Sequence, residues 1–194
     1  MVSMDKARRR GRAMSLWATY RWGDRSCALD DIDIMWLAKS LWGECGKGGE
    51  FEDMLAVACC MMQRYLRWKR ANVEWGTFSS FVRAFSQPVN PIWVDPSPYR
   101  RRKYPKLCTP ARLRRRRTIC NAPWVDVPRA PKLVAMGFGC GMYASPVPDA
   151  VNFGAAALIK RQGRKGINLG GNVFIDPSQD KGIKWTKGSL EIII

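Results

Sequence analysis

Met54-Leu55-Ala56-Val57-Ala58-Cys59-Cys60-Met61-Met62 is the stretch from which the fold follows. Nine apolar residues in a row leave no polar face, and a helix that is apolar all round belongs in a protein interior. The flanks agree with a helix. Glu50, Glu52 and Asp53 stand where its first turn would be, and Arg64 and Arg67 stand where it would end, each sign opposing the helix dipole. The sequence therefore predicts a buried central helix from about Glu50 to Trp68, and around it a mainly α domain.

Upstream, Asp30-Asp31 can cap a helix. Ile34, Leu37 and Leu41 then recur at helical spacing beside Met35, Ala38 and Trp42, until Gly46-Lys47-Gly48-Gly49 stops the run. Downstream, Thr77 is a candidate N-cap for a short helix through Phe85, with Phe78, Phe81, Val82 and Phe85 at helical spacing. Residues 86–110 are rich in Pro and aromatic side chains and read as an ordered surface loop. Thr109-Pro110 supplies a cap and a first-position proline for a strongly basic helix to about Ile119, and another helical segment covers about Lys132–Phe138. Two β-prone runs, Ala150–Phe153 and Asn172–Ile175, predict a small extended element, with Ile192–Ile194 as a candidate third strand. The expected class is α+β dominated by helices: a basic arm at residues 1–13, then one domain over residues 14–194.

The 194 residues include 33 Lys plus Arg, 16 Asp plus Glu and no histidine, a net charge of +17, and 46% are hydrophobic, enough for a real core. The absence of histidine excludes Ser-His-Asp and Cys-His catalysis and any imidazole base or metal ligand. Carboxylates, thiols, lysines and tyrosines remain for chemistry. The seven cysteines include the adjacent Cys59-Cys60 but no C-x-x-C pair, so they read as packing residues, and no metal or cofactor is expected. No apolar run reaches the roughly 20 residues of a membrane span, and no apolar segment follows the charged residues 1–13, so neither a span nor a secretion signal is expected. So large a positive charge points to an anionic partner: nucleic acid, an acidic envelope polymer or an anionic lipid surface.

One acid stands out by position. Glu44 lies seven residues after Leu37 and three after Leu41, so a helix that persists to it carries its carboxyl along the buried stripe. Apolar surroundings and the negative end of a helix dipole both disfavour the carboxylate. The pKa should rise toward what a general acid needs near neutral pH. The plainer reading is a Glu paired with a Lys or Arg at a helix end, and spacing alone leaves both open.

Leu37-Ala38-x-x-Leu41-Trp42-Gly43-Glu44-x-Gly46, followed by Ala56-Val57-Ala58 and Gln63-Arg64, resembles the opening of the SleB/CwlJ-type cell-wall hydrolases and their phage-encoded relatives. The resemblance continues in order through Phe85-Ser86-Gln87-Pro88-Val89-Asn90-Pro91-Ile92-Trp93, Ala150-Val151-Asn152-Phe153 and Gly170-Gly171-Asn172-Val173-Phe174, over roughly residues 33–176. Cys45 stands where these proteins usually have Ala, Gln63 where Asn is common and Asn172 where His often occurs. The resemblance implies a lysozyme-like fold with Glu44 as catalytic acid. The implied reaction is cleavage of the β-1,4 bond between N-acetylmuramic acid and N-acetylglucosamine in peptidoglycan, in bacteriophage infection or host lysis. The setting implied is the virion or the host cell, acting on the host wall, in the periplasm if the host is Gram-negative.

Hydrolysis by the usual routes needs a second carboxylate, about 5–5.5 Å or about 6.5–9.5 Å from the acid. Glu50, Glu52 and Asp53 are explained by dipole compensation, and Asp95, Asp126, Asp149 and Asp176 have no spacing that singles one out. A one-carboxylate lytic transglycosylase reaction is therefore expected. In the Phe85–Trp93 loop, Trp93 is a candidate for stacking on sugar, and Ser86, Gln87 and Asn90, together with the more distant Asn172, are candidates for hydrogen bonding to it. Phe85 and Trp93 as core residues with the amides capping turns is the equal alternative. Between residues 100 and 117 stand ten basic residues and no acid: Arg100, Arg101, Arg102, Lys103, Lys106, Arg112 and Arg114–Arg117. Their expected role is to tether the enzyme to peptidoglycan or another anionic envelope polymer without taking part in chemistry. Two rival functions fit the same charge. One is a virion nucleic-acid-binding protein, although no nucleic-acid motif accompanies the charge, and the other is a catalytically inactive cell-wall-binding domain.

Overall fold

A computed structural model of the chain describes residues 19–22, 25–70, 76–176 and 178. The expected arm at residues 1–13 and the candidate strand at Ile192–Ile194 lie outside the described residues. A short antiparallel hairpin comes first, β1 (Thr19–Trp22) with β2 (Arg25–Ala28), for which the sequence reading had no signal.

Helix α1 spans Asp31–Cys45. Asp30 caps it by accepting from the backbone N–H of Asp33 at 2.7 Å, while Asp33 Oδ2 accepts from the N–H of Asp30, a reciprocal box that satisfies two helix-end donors. The other oxygen of Asp33 accepts from the N–H of Ser79 at 2.6 Å, fastening the start of α1 to the start of α3 (Phe78–Phe85), which Thr77 caps as expected. Burial raises the Asp33 pKa, and the hydrogen bonds from Ser79 oppose that rise.

Helix α2, Phe51–Arg70, is the central helix, and every residue from Met54 to Met62 is buried. It has no solvent face over that stretch because α1, α3, α7 (Arg129–Gly139) and a three-stranded sheet all pack against it. Each fully buried Leu, Met or Phe side chain contributes about 1.5–3 kcal/mol relative to exposure. Tyr65 at the end of this core meets Phe78 and Phe81 with ring centroids 5.4 Å apart, and Phe81 stacks on Phe85 at 4.4 Å.

The stretch expected to be a surface loop, residues 86–110, instead winds into α4 (Pro91–Val94), α5 (Pro98–Lys103) and a 3-10 turn at Pro105–Leu107. Pro91 and Pro98 sit at the first helical positions, where their missing N–H has no partner to lose, and Asn90 and Ser97 cap the two helices. Helix α6, Pro110–Asn121, follows the Thr109 cap. Helix α7 begins before the expected Lys132 because Pro131 falls within its first turn. Strands β3 (Asn152–Ala155), β4 (Ile167–Leu169) and β5 (Asn172–Ile175) form an antiparallel sheet in the order β3-β5-β4, with α8 (Ala156–Arg161) between β3 and β4. Gly170 and Gly171, with φ of 55° and 88°, make the two-residue turn from β4 to β5, a geometry that favours glycine at both positions. The result is a mainly helical protein with a small antiparallel sheet. No described helix is long and apolar enough to cross a membrane.

Candidate active site

Helix α1 runs through Gly43 to Cys45, so Glu44 occupies its last turn, one turn beyond Ser40 on the same face. Gly43 is buried beneath Pro88, and any side chain at that position would overlap the proline ring. This close approach brings the segment after α3 against the end of α1. Ser86 Oγ donates to Glu44 Oε1 at 2.9 Å and accepts from Ser40 Oγ at 2.7 Å, both serines lying in the interior. Glu44 itself is partly buried. Burial pushes its pKa up to about 7, against the opposing pull of the Ser86 hydrogen bond and the Arg115 and Arg116 charges.

The opposite wall comes from α6. Lys39 in α1, buried, donates to the carbonyl of Cys120 at 2.7 Å, and Arg115 Nη2 donates to the carbonyl of Gly43 at 3.0 Å, so α1 and α6 are clamped at two points. The second clamp places a cation at the C-terminal end of α1, the favourable sign for its dipole. Arg116 is only 6% exposed. Its Nη1 donates to the carbonyls of Trp93 (3.1 Å) and Leu107 (2.9 Å), and its Nη2 donates to Gln87 Oε1 (2.9 Å). One guanidinium thereby holds three points of the 86–107 segment. Between the walls lies a small cleft of about 240 Å³, lined by Gly43, Glu44, Gln87, Pro88, Arg112, Arg115, Arg116 and Ile119. Glu44 is the only acid among these lining residues.

Of the residues singled out from the sequence, the structure brings Glu44 and Gln87 to the cleft lining; Ser86, expected to bond the sugar, is instead 1% exposed and lies behind Glu44, where its hydroxyl is used by the carboxyl and by Ser40. It does not bring Asn90, Trp93 or Asn172 to the cleft lining, and each has an internal partner instead. Asn90 is buried, caps α4 by accepting from the N–H of Ile92 at 2.9 Å, and donates to the carbonyl of Ala84 at 2.6 Å. Trp93 is 4% exposed, with its ring edge-on to Tyr104 at 5.6 Å and guanidinium groups of Arg100 and Arg116 nearby. Asn172, on β5, donates to both carboxylate oxygens of Asp53 at 3.0 and 3.3 Å. Asp53 is buried beside Cys45, whose thiol is raised well above its ordinary value by burial and by that carboxylate. Such a thiol stays protonated and is no nucleophile.

The basic segment is divided between two surfaces. Arg112, Arg115 and Arg116 line the Glu44 cleft, while Arg101, Arg114 and Arg117 line a separate groove of about 620 Å³ with Cys108, Leu113 and Thr118. The signal was present in the spacing. Leu113, Arg116 and Ile119 are the buried residues of α6, and their interval of three puts Arg116 on an otherwise apolar stripe. Ser40 was also missed, because a small hydroxyl inside an amphipathic run carries no mark of its partner. Among the described residues no group of three or more His, Cys, Asp or Glu could hold a metal ion. The chain matches no protein-family model, no curated protein and no solved structure.

Proposed function

We propose that this chain is a peptidoglycan-degrading enzyme of lysozyme-like fold, a lytic transglycosylase that cleaves the β-1,4 bond between N-acetylmuramic acid and N-acetylglucosamine and serves bacteriophage infection or host lysis. The observation that carries the reading is Glu44: a carboxyl with a pKa of about 7, opening on a cleft that has no second acid in its lining. A carboxyl poised near neutral pH can give up a proton and take one back in the same turnover. In the first step Glu44 protonates the bridging oxygen as its bond to the muramic C1 breaks. In the second, the Glu44 carboxylate removes the proton of the muramic C6 hydroxyl, whose oxygen closes on C1. The product is a 1,6-anhydro ring, Glu44 ends protonated, and no water is consumed. A hydrolase would need another carboxylate as nucleophile or base at a defined distance from the first.

The neighbours fit these two roles. Ser86 donates to Oε1, which leaves Oε2 as the oxygen that carries and returns the proton. Gln87 has its Oε1 fixed by Arg116, which leaves its N–H groups for a sugar hydroxyl or acetamide carbonyl. The test is clearing of purified peptidoglycan. The wild-type protein should clear it and folded Glu44→Gln should not. A wild-type protein that binds the wall without clearing it would instead be an inactive wall-binding domain.

A further inference from the structure

The α6 wall of the Glu44 cleft carries more positive charge than its packing uses. Arg116 is committed to three acceptors in the interior. Arg115 commits one N–H to the Gly43 carbonyl and is otherwise exposed. Arg112, one turn before Arg116, is exposed, and its guanidinium has no hydrogen-bond or ion-pair partner among the described residues. Positions 112 and 115 lie three apart on a helix, so the two guanidinium groups rise from one face. Two exposed arginines of the same segment, Arg101 and Arg117, share an acid, pairing with Asp95 at 3.4 and 3.0 Å. The cleft has no such acid. Glu44, its only carboxyl, is already bonded by Ser86 and is the group that must hold a proton.

A neutral glycan offers these guanidinium groups acceptors but no compensating charge, whereas a carboxylate on the substrate can take a bidentate pair from Arg112 and a further charge-assisted bond from Arg115. We infer that Arg112 and Arg115 form an anion subsite beside Glu44, which binds a carboxylate carried by the glycan strand and makes the enzyme selective for anionic over neutral strands. This rests on the reading of Glu44 as the acid of a glycan-cleaving enzyme, and it assigns the tether role to the other face of α6. Arg116 is a positioning residue for the loop and takes no part in the subsite.

The experiment compares peptidoglycan strands with the same strands after their carboxyl groups have been coupled to methylamine. Wild-type kcat/KM should favour the carboxylate strands by about tenfold or more, as expected when a charge-assisted bidentate contact is lost. The double variant Arg112→Gln/Arg115→Gln should bring the ratio of the two rates to within about twofold of unity. Arg102→Gln/Arg129→Gln, which removes equal charge at exposed positions outside the cleft lining, should keep the wild-type ratio. Equal wild-type rates on the two strands, or a preference that survives in the cleft variant, would overturn the inference while leaving the proposed reaction standing. Binding to Glu44→Gln at about 0.15 M salt separates the two failures. If no strand is cut by the wild type, the reaction is wrong, and the anion subsite then stands or falls on whether carboxylate strands still bind more tightly than amidated ones.

Discussion

At Glu44 the burial that raises the pKa wins over three groups that lower it, and each contribution can be removed separately. Positioned proton transfer contributes on the order of 10²–10⁴ in rate, so Glu44→Gln should lose at least about 100-fold in wall clearing while remaining folded. Because the acid must start protonated, activity should fall as pH rises through about 7. Ser86 donates to the carboxylate and so favours it. Ser86→Ala should therefore move the alkaline limb of the pH profile upward, and a limb that moves down or stays fixed would show that this bond does not set the acid. The same shift has a stability consequence of known sign. The folded state holds the Glu44 proton more tightly than the unfolded state does, so the contribution present below the ordinary carboxyl value of 4.5 is lost as pH rises to about 7. Glu44→Gln should accordingly raise the melting temperature above pH 7, measured against the wild type at the same pH. Glu44 was legible in the sequence because its spacing from Leu37 and Leu41 places it on a buried stripe. Its partners were less so: Ser40 and Ser86 are 46 residues apart, and only the fold brings them together.

At the scale of the elements, the cleft depends on how the 86–107 segment is held between α1 and α6. Arg116 satisfies the carbonyls of Trp93 and Leu107 and the amide oxygen of Gln87, and hydrogen bonds to a charged group are worth roughly 1.5–3 kcal/mol each, not additively. Arg116→Ala should cost about 3 kcal/mol or more in urea denaturation. Arg116→Lys should recover only part of that, since an ammonium cannot reproduce the planar fork. Gly43→Ala forces a methyl group into Pro88 and should cost about 1–3 kcal/mol, with loss of clearing, because displacing Pro88 pulls Ser86 from Glu44. A stable and fully active Gly43→Ala protein would mean that this contact does not position the site. The core helices could be read from periodicity and capping: α2 is apolar all round, Asp30 caps α1, and Thr77 and Thr109 cap α3 and α6. The short helices α4 and α5 could not, since Pro in a dense aromatic stretch signals loop and helix start alike. Strands β1, β2 and β4, of three or four residues, were likewise not legible.

Over the whole molecule, +17 on 194 residues gives a field that any anionic surface will feel, and salt should screen it over a Debye length of about 8 Å at 0.15 M. Composition counts the charges of the basic segment without saying which wall of α6 each faces, and the structure divides them between the Glu44 cleft and an outer groove. Arg114 and Arg117 line the outer groove, so replacing both with Gln should weaken retention on intact cell wall and flatten its salt dependence, with cleavage of a short soluble glycan little changed. Comparable loss on both substrates would place the outer groove in the path of the glycan. In the proposed reaction one carboxyl does all the proton transfer in this cleft. This is tested most directly by mass analysis of the muropeptides that the wild-type protein releases from purified peptidoglycan. One-carboxyl chemistry gives 1,6-anhydromuramic ends, lighter by one water than hydrolytic ends and resistant to borohydride; a predominance of reducible muramic ends would overturn it and require a second carboxylate near Glu44.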